Sequence, residues 1–339
     1  MVRAVRLWGA FARRRKLIVC SLVSFLAGVA FAWFARRYGD LARPPRLTCL
    51  ERELEGGGRS HLPSAHLLII VMTAPAYLER RDVIRQTWLR LAGAGSNGVE
   101  HHFVIGTAGA SAAERAALDR EHDRHGDLLR LPLVNDSYGA LTAKLLAALA
   151  WVDDHRNADF VLKVDDDTFV RLDALYAMLR DDYAGAGDLY LGFFDGRAPV
   201  RRRGKRWAEP SWFLCDYYLP YALGGGYVVG RDLVTFVARN RDALRAYASE
   251  DVSLGAWLAP ALARRVHDPR FNTEYRSRGC FNAYLVTHKQ SLTQMLDKYE
   301  ELRTQGRMCR QEVRLRYSYI YNWNVPPSQC CMRNDTRVP

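Results

Sequence analysis

Short apolar runs alternate with segments of helical spacing between residues 66 and 195. Runs with strand character lie at 66–72, 101–106, 127–131, 160–164 and 190–194. Helical spacing covers residues 79–91, 111–125, 138–154 and 172–182. Strands that alternate with helices are typical of an α/β domain with a largely parallel sheet. We therefore expect one domain that is built on a single sheet.

The clearest helix boundaries in the chain belong to the second predicted helix. Ser111 is followed three residues later by Glu114, which is the pattern of a capping box. Gly126 stands just past the last helical position, where a left-handed backbone ends many helices. The sequence therefore predicts that this helix ends at His125.

A charge-free apolar run near the N-terminus is much longer than the strand-like runs and indicates a membrane-spanning helix. Residues 17–34 contain no charged side chain, and 18 helical residues span ~27 Å, about the thickness of the hydrocarbon core. Six basic residues precede the run and two follow it, so the N-terminal side is expected to stay in the cytoplasm. A cleaved signal peptide is the alternative.

These patterns divide the chain into five expected parts. Residues 1–16 form a cytoplasmic tail, and residues 17–34 form a transmembrane signal anchor. Residues 35–65, which include Pro44, Pro45 and three consecutive glycines, form a stem. Residues 66–325 form a lumenal catalytic domain, and residues 326–339 form a tail that contains cysteines. The protein is thus expected to be a single-pass type II membrane protein.

The net charge argues for this topology and against a nucleic-acid partner. The chain of 339 residues has a formal net charge of +12, but residues 1–37 alone carry eight basic and no acidic residues. The rest of the chain has a net charge of only +4. A cationic excess at one end is a signal of membrane topology, not the footprint of a nucleic-acid-binding surface.

The cysteines and two glycosylation sequons fit a lumenal location. One of the seven cysteines, Cys20, lies within the predicted anchor, and the other six are an even number that suggests disulfides in an oxidising compartment. The sequence does not fix their pairing. Asn135 and Asn334 begin Asn-x-Ser/Thr triplets and are candidate N-glycosylation sites.

Three consecutive acids follow the strand predicted at 160–164. Asp165, Asp166 and Asp167 stand where a ligand binds in open α/β sheets, at the carboxyl end of a strand. Divalent cations prefer carboxylate oxygens, and a diphosphate supplies further oxygen ligands. A solvated acidic turn is the alternative, but three adjacent acids after a buried strand need a counter-ion. His288 follows another apolar stretch and is either a nitrogen ligand of this metal or a structural histidine.

A second pair of acids is the candidate for proton transfer. Glu250 and Asp251 precede a helical segment, where acids also stabilise the helix dipole. One carboxylate there is a candidate general base for a hydroxyl nucleophile, with the other in support.

Aromatic and glycine residues suggest a sugar pocket. Glycine lets a backbone approach a ligand closely, and tyrosine rings stack on sugar faces. A hairpin turn with core tyrosines is the alternative. The candidate pocket residues are Trp212, Tyr221, Gly224, Gly225 and Tyr227.

Two clusters of basic residues have open interpretations. Arg81 and Arg85 share one helical face, which is either a solvated surface or a binding site for a phosphate and a nucleoside. The basic run at 201–206 is either an exposed loop or a surface that attracts an acidic part of the acceptor.

Taken together, these segments resemble the β-1,3-glycosyltransferases related to the Fringe proteins. The matching pieces are ERRDVIRQTW at 79–88, LTAK at 141–144, KVDDDTFV at 163–170, YALGGGYVV at 221–229 and EDVSLG at 250–255. Their order and spacing are specific, although no single one is decisive. The resemblance implies a GT-A glycosyltransferase fold with UDP-galactose as donor and Mn²⁺ as cofactor.

The resemblance also implies roles for individual residues. Asp251 matches the general base and Glu250 supports it, while Asp167, His288 and Asp165 hold the metal. Residues at the nucleotide are Arg81, Arg85, Lys144, Asp165 and Asp166. Ala140 departs from the family, because many relatives have Asn there, which weakens the assignment of Lys144.

Within the family, segments such as HDPRFNTEYRSRGC and PPSQCC are similar to the galactosyltransferases that build the proteoglycan linker. That similarity implies transfer of galactose, with inversion, to the 3-hydroxyl of Gal-β1,4-Xyl on a core protein. The expected location is the Golgi membrane, with association with other linker-synthesis enzymes. The rival hypotheses are a related transferase with another UDP-sugar and a catalytically silent lectin or chaperone of the same fold.

Overall fold

A computed structural model describes residues 61–92, 98–203, 208–334 and 338–339 of the chain. The described residues form twelve strands and seven α-helices. The strands are β1 (Ser64–Met72), β2 (Val99–Gly106), β3 (Leu128–Leu131), β4 (Asn157–Asp165), β5 (Phe169–Val170), β6 (Leu189–Asp195), β7 (Tyr221–Gly230), β8 (Arg264–His267), β9 (Phe271–Asn272), β10 (Gly279–Cys280), β11 (Val286–Thr287) and β12 (Val313–Arg314). The α-helices are α1 (Leu78–Gln86), α2 (Ala112–His125), α3 (Leu141–His155), α4 (Leu172–Asp182), α5 (Arg231–Arg239), α6 (Glu250–Trp257) and α7 (Leu292–Gln305).

A seven-stranded sheet forms the centre of the domain, with strand order β3-β2-β1-β4-β7-β6-β8. Four of its six pairings are parallel, and β7 is antiparallel to both of its neighbours, β4 and β6. The predicted α/β class and largely parallel sheet are therefore confirmed. The central residues of β1 and β4 are buried on both faces, so they are mostly apolar and do not alternate with polar residues.

The alternation of strands and helices between residues 66 and 195 is confirmed element by element. The capping box of α2 forms as predicted, with Ser111 and Glu114 each bonded to the other's backbone N–H, and Gly126 ends the helix at φ 68°. The helix predicted at 79–91 is divided, because α1 ends at Gln86 and a short 3-10 helix covers Trp88–Ala92. A 3-10 turn at Tyr138–Ala140 likewise precedes α3.

The prediction of a single sheet is wrong. A three-stranded sheet in the order β5-β11-β9 and a two-stranded sheet of β10 and β12 lie outside the central sheet. In the three-stranded sheet, β11 pairs with β5, which begins two residues after Asp167. Strands of two residues are too short to produce a periodic hydrophobic pattern, so these small sheets could not be predicted. Their pairing brings His288, next after β11, beside the end of β4.

Two disulfides join cysteines among the described residues. Cys280 bonds with Cys309, and the neighbours Cys330 and Cys331 bond with each other in a buried position. Cys215 is free and exposed.

The predicted anchor at residues 17–34 and most of the predicted stem lie outside the described residues. Within the part of the chain that is described, no helix combines the length and apolar character needed to cross a bilayer.

Candidate active site

The three aspartates lie where the sequence predicts, at the carboxyl end of β4. Asp165 is the last residue of that strand and pairs in register with Met72, the last residue of β1. The next two aspartates form the turn into β5, and the turn closes with a hydrogen bond from Thr168 N to Asp165 O, 3.1 Å. The three carboxylates therefore lie together at one edge of the sheet.

Two of these aspartates meet His288 in an arrangement that fits a metal ion. The ligand atoms of Asp165, Asp167 and His288 all lie within 4.8 Å of one another. His288 Nε2 is 3.0 Å from Asp167 Oδ1 and 3.5 Å from Asp165 Oδ2. Asp167 Oδ1 is buried, and no described residue other than His288 is paired with it. A buried carboxylate needs a compensating positive charge, so these residues fit a divalent metal.

Asp166 faces away from this triad. Its Oδ2 accepts a 2.7 Å hydrogen bond from Thr73 Oγ1, and its Oδ1 lies 3.7 Å from Arg80 Nη1. Burial raises the pKa of Asp166 to about 6, although the Thr73 hydrogen bond opposes the shift. Asp166 thus ties the turn to the loop after β1 and is not grouped with the metal ligands.

The glycines of β7 let two side chains come close to its backbone. A Cβ at Gly225 would lie 2.5 Å from Cγ of His288, and one at Gly224 would lie 2.5 Å from Oε1 of Glu250. Any larger residue would displace the histidine or the glutamate. The segment Tyr221–Gly230 is therefore a strand that supports both acidic sites, and the alternative of a hairpin turn is wrong.

A buried lysine joins the two acidic sites. Lys163 is a β4 residue, and its Nζ donates to Asp165 Oδ1 (2.8 Å), Glu250 Oε1 (2.7 Å) and Gly224 O (2.5 Å). Burial alone would lower the pKa of Lys163, but the Asp165 and Glu250 carboxylates outweigh it and raise that pKa above its usual value. Lys163 is therefore a fixed cation between the candidate metal site and the candidate base.

Asp251 lies in the first turn of α6 and is held by backbone donors. Its Oδ2 accepts from Gly224 N at 2.9 Å, and its Oδ1 accepts from Val252 N at 2.8 Å. Burial, followed by the charge of Glu250, raises the pKa of Asp251 to about 7. For Glu250 burial acts in the same direction, but the ion pair with Lys163 outweighs it and lowers the pKa of Glu250. One carboxylate thus stays ionised while the other titrates near neutrality, which is the property of a general base.

Arg81 and Arg85 do not form a solvated basic face. Arg81 is only 1% exposed and makes a bidentate ion pair with Glu121, at 2.8 and 2.7 Å. Arg85 bonds to Glu121, Asp127 and Asp82. Their donors are used within the fold, so the structure gives no support to the predicted contact of either arginine with a nucleotide.

The ammonium group of Lys144 is also hydrogen-bonded within the fold. Its buried Nζ donates to Thr73 O and to both carboxylate oxygens of Asp136, at 3.0 and 2.8 Å. Burial lowers the pKa of Lys144. The lysine therefore holds the end of β1 in place beside the acidic cluster, and its predicted contact with a nucleotide gains no support.

The three aromatic residues of the predicted sugar pocket are all buried. Trp212 is 1% exposed within an aromatic cluster that includes Tyr218 and Tyr247, and Tyr227 is 0% exposed in the main core. Tyr221 is also buried, beneath α6. Rings without an open face offer no surface to a sugar, so the predicted stacking gains no support from the structure.

The two predicted glycosylation asparagines, Asn135 and Asn334, are both exposed. Thr336, the third residue of the second sequon, lies outside the described residues.

Sequence reasoning did not single out Lys163, Thr73 or Arg80. A signal existed for Lys163, because a lysine within the apolar run at 160–164 must have a buried partner. No signal distinguished Arg80 from its neighbour Arg81, because the orientation of α1 decides which one is buried. Thr73 contributes one hydroxyl from a loop, a feature without a sequence pattern.

Comparison with known proteins places these residues within a family. The galactosyltransferase family matches residues 79–269, which is more than half of the chain. Beta-1,3-galactosyltransferase 6 of Mus musculus is 54% identical over 273 residues, which cover 80% of this chain and 84% of the mouse protein. Beta-1,3-galactosyltransferase GALT1 of Arabidopsis thaliana is 30% identical over 75% of this chain, but the match spans only 40% of the plant protein.

Likeness to solved structures is weak. The bifunctional glycosyltransferase WbbM has 16% sequence identity and a TM-score of 0.39, over 63% of this chain and 40% of that one. An active-site mutant of LgtC has 17% identity and a TM-score of 0.37, over 66% and 87%. These scores are too low to support an argument. The family match and the extent of the mouse similarity are sufficient without them: this chain belongs to the galactosyltransferase family.

Proposed function

We propose that this protein is an inverting β-1,3-galactosyltransferase of the GT-A type. It transfers galactose from UDP-galactose to the 3-hydroxyl of the terminal galactose in Gal-β1,4-Xyl on a proteoglycan core protein. The observation that carries the proposal is the pair of linked acidic sites: a metal-type triad at the end of β4 and a partly buried carboxylate, Asp251, with a pKa raised to about 7. Lys163 joins them.

Asp251 is the base in this proposal. Its carboxylate is held in position by two backbone N–H groups and takes the proton of the acceptor hydroxyl. The oxygen then attacks the anomeric carbon of the donor from the face opposite UDP, which inverts the α linkage to β. Glu250 supports the base, because its negative charge favours the protonated form of Asp251.

Asp165, Asp167 and His288 would hold Mn²⁺ in this proposal. When bound, the ion supplies positive charge for the diphosphate leaving group. Two carboxylates and one imidazole suit such a cation, and their ligand atoms, which lie within 4.8 Å of one another, support its presence.

The proposed location is the lumen of the Golgi, with residues 17–34 as the membrane anchor. The two disulfides support an oxidising compartment. The proposed partners are UDP-galactose, Gal-Xyl-Ser on proteoglycan core proteins, the Golgi membrane and other enzymes of linker synthesis; nucleic acid is not among them.

The direct test is a donor panel with the purified full-length protein. With Mn²⁺ and a Gal-β1,4-Xyl-β-aglycone acceptor, UDP release should be much faster from UDP-galactose than from UDP-glucose, UDP-N-acetylglucosamine or UDP-N-acetylgalactosamine. Preference for another sugar would replace the donor in this proposal. No acceptor-dependent UDP release from any donor would favour a silent lectin or chaperone.

A further inference from the structure

An exposed tryptophan lies at the carboxyl end of β6, on a segment beyond the region that the family matches. Trp323 is 43% exposed. Its ring stacks on Tyr321, with centroids 3.9 Å apart and planes inclined by 26°, and meets Phe194 edge-on at 5.3 Å. Tyr321 covers one face of the indole, and no ring among the described residues stacks on the opposite face.

The loop that carries Trp323 is anchored at both of its ends. At its start, Tyr319 donates its hydroxyl hydrogen to Phe194 O, 2.7 Å. Across the loop, Asn322 N donates to Cys330 O at 2.9 Å, and the disulfide-bonded Cys330 and Cys331 are buried in the core. The indole is therefore held in place over the end of β6.

Two polar groups beside the indole have unused hydrogen-bonding capacity. Asp195 is the last residue of β6, and its Oδ1 accepts from Arg197 N at 2.7 Å, while no described residue donates to its Oδ2. Tyr321 is 4% exposed, and its buried hydroxyl has no hydrogen-bond partner among the described residues. That hydroxyl lies against Gly196, where a Cβ would collide with it.

This cluster lies next to the candidate base along β7. Asp195 pairs in register with Tyr221, the first residue of β7, and Gly224, three residues further on, donates to Asp251. Three residues of a strand span about 10 Å. Burial and then the charges of Asp251 and Asp195 raise the pKa of Tyr221, so its hydroxyl is within electrostatic range of both carboxylates.

We propose that Trp323 and Asp195, with Tyr321 supporting the indole from behind, form a carbohydrate subsite that binds the acceptor ring next to the one that receives galactose. The open indole face packs against the apolar face of that ring. The Asp195 carboxylate accepts hydrogen bonds from its hydroxyl groups. This inference rests on the proposed galactosyl transfer and adds to it a site for recognition of a disaccharide acceptor.

The test compares two acceptors in the full-length protein: Gal-β1,4-Xyl-β-aglycone and a simple β-galactoside of the same aglycone. Trp323→Ala should raise KM for the disaccharide by about tenfold. KM for UDP-galactose and for the monosaccharide should change by less than about twofold, because neither contacts the subsite. Trp323→Phe, which keeps an aromatic face, should recover most of the loss. Tyr317→Ala is the matched control, since Tyr317 is an exposed aromatic on the same segment.

Asp195→Asn provides a second variant that leaves the loop and its packing intact. It should also raise KM for the disaccharide and leave KM for the monosaccharide unchanged. Unchanged disaccharide KM in both variants, or an equal rise for both acceptors, would overturn the subsite. An inactive wild-type protein would instead overturn the proposed function, so the two failures are distinguishable.

Discussion

At the residue scale, Asp251 is the side chain on which the proposed chemistry depends. A carboxylate in water is a weak base, but burial and the neighbouring Glu250 raise the pKa of Asp251 to about 7. The backbone N–H groups of Gly224 and Val252 keep it oriented. The same residue thus combines increased basicity with a fixed direction.

The Asp251→Asn variant should lose turnover while it keeps its fold. An amide of the same shape cannot accept the proton, so kcat should fall by roughly 10²–10⁴-fold. UDP binding, measured by calorimetry with Mn²⁺ present, should stay within about twofold, because Asp251 is not among the metal-type residues. Asp181→Asn, at an exposed ion pair, is the control and should be fully active. Near-normal kcat in Asp251→Asn would remove it as the base.

The pH dependence of the activity tests the role of Asp251 as a base without a mutation at that residue. A base must be ionised to act, and the pKa of Asp251 is about 7. The kcat/KM for acceptor should therefore be low at pH 5.5, rise through about pH 7 and level off above it. Glu250→Gln removes a charge that favours protonation of Asp251, so its profile should shift to lower pH. A profile that is flat between pH 5 and 8, with UDP and Mn²⁺ binding intact throughout, would contradict this role.

Asp167 is the residue that most directly tests the metal proposal. Its buried Oδ1 lies 3.0 Å from His288 Nε2 in the candidate metal site, and Asp167→Asn removes the charge with little change in shape. The Mn²⁺ concentration needed for half-maximal activity should rise by at least about tenfold. Mn²⁺ binding, followed by electron paramagnetic resonance, should weaken in parallel. Wild-type activity in the presence of excess chelator would show that no metal is required.

At the element scale, β7 determines how the site is assembled. It is antiparallel to both neighbouring strands, and its glycines let Glu250 and His288 approach its backbone. The short sheet that contains β11 brings His288 to the same place from a distant part of the chain. Two elements without a strong hydrophobic pattern therefore position the most important side chains.

Gly225→Ala should act as a local disruption of the metal site. The new Cβ would lie 2.5 Å from the His288 ring, so the ring must move, and overpacking of this kind costs about 1–3 kcal/mol. Mn²⁺ affinity should fall together with activity, and the melting temperature should fall only moderately. Gly139→Ala is the matched control, because nothing lies within 4 Å of its Cβ position. Unchanged Mn²⁺ affinity in Gly225→Ala would show that His288 is not a ligand.

Elements with a hydrophobic or capping pattern over many residues could be predicted from the sequence, and elements of only a few residues could not. The apolar run of β1 and the capping box of α2 gave the correct structure almost to the residue. The strand β7 resembled a turn because its three glycines are usually found in turns. The choice between Arg80 and Arg81 depended on the rotation of α1, which a four-residue spacing does not determine. Candidate ligands were thus predictable as residue types, but their partners depended on tertiary contacts.

At the scale of the whole molecule, a buried ion-pair network joins α1 to α2. Arg81 and Arg85 both bond to Glu121, and Arg81 also donates to Ala74 O at 2.6 Å in the loop after β1. The same loop contains Thr73, which donates to Asp166. The network therefore stabilises the fold and positions one side of the acidic cluster.

Arg81→Ala should destabilise the whole domain. The variant removes one of the two arginines that neutralise the buried Glu121 carboxylate. Breaking a buried ion pair costs about 3–5 kcal/mol. Urea denaturation followed by circular dichroism should show a clearly lower midpoint. The double variant Arg81→Met with Glu121→Leu should be less destabilised than Arg81→Ala alone. A stable Arg81→Ala protein with a raised KM for UDP-galactose would instead restore the predicted contact with the nucleotide.

The central claim is a β-1,3 transfer of galactose with inversion, and the structure of the product tests it most directly. The full-length protein should be incubated with Mn²⁺, UDP-galactose and Gal-β1,4-Xyl-β-aglycone, and the product examined by nuclear magnetic resonance. The account predicts one new galactose, β-linked to the 3-position of the acceptor galactose. An α linkage, or attachment at another hydroxyl, would contradict it.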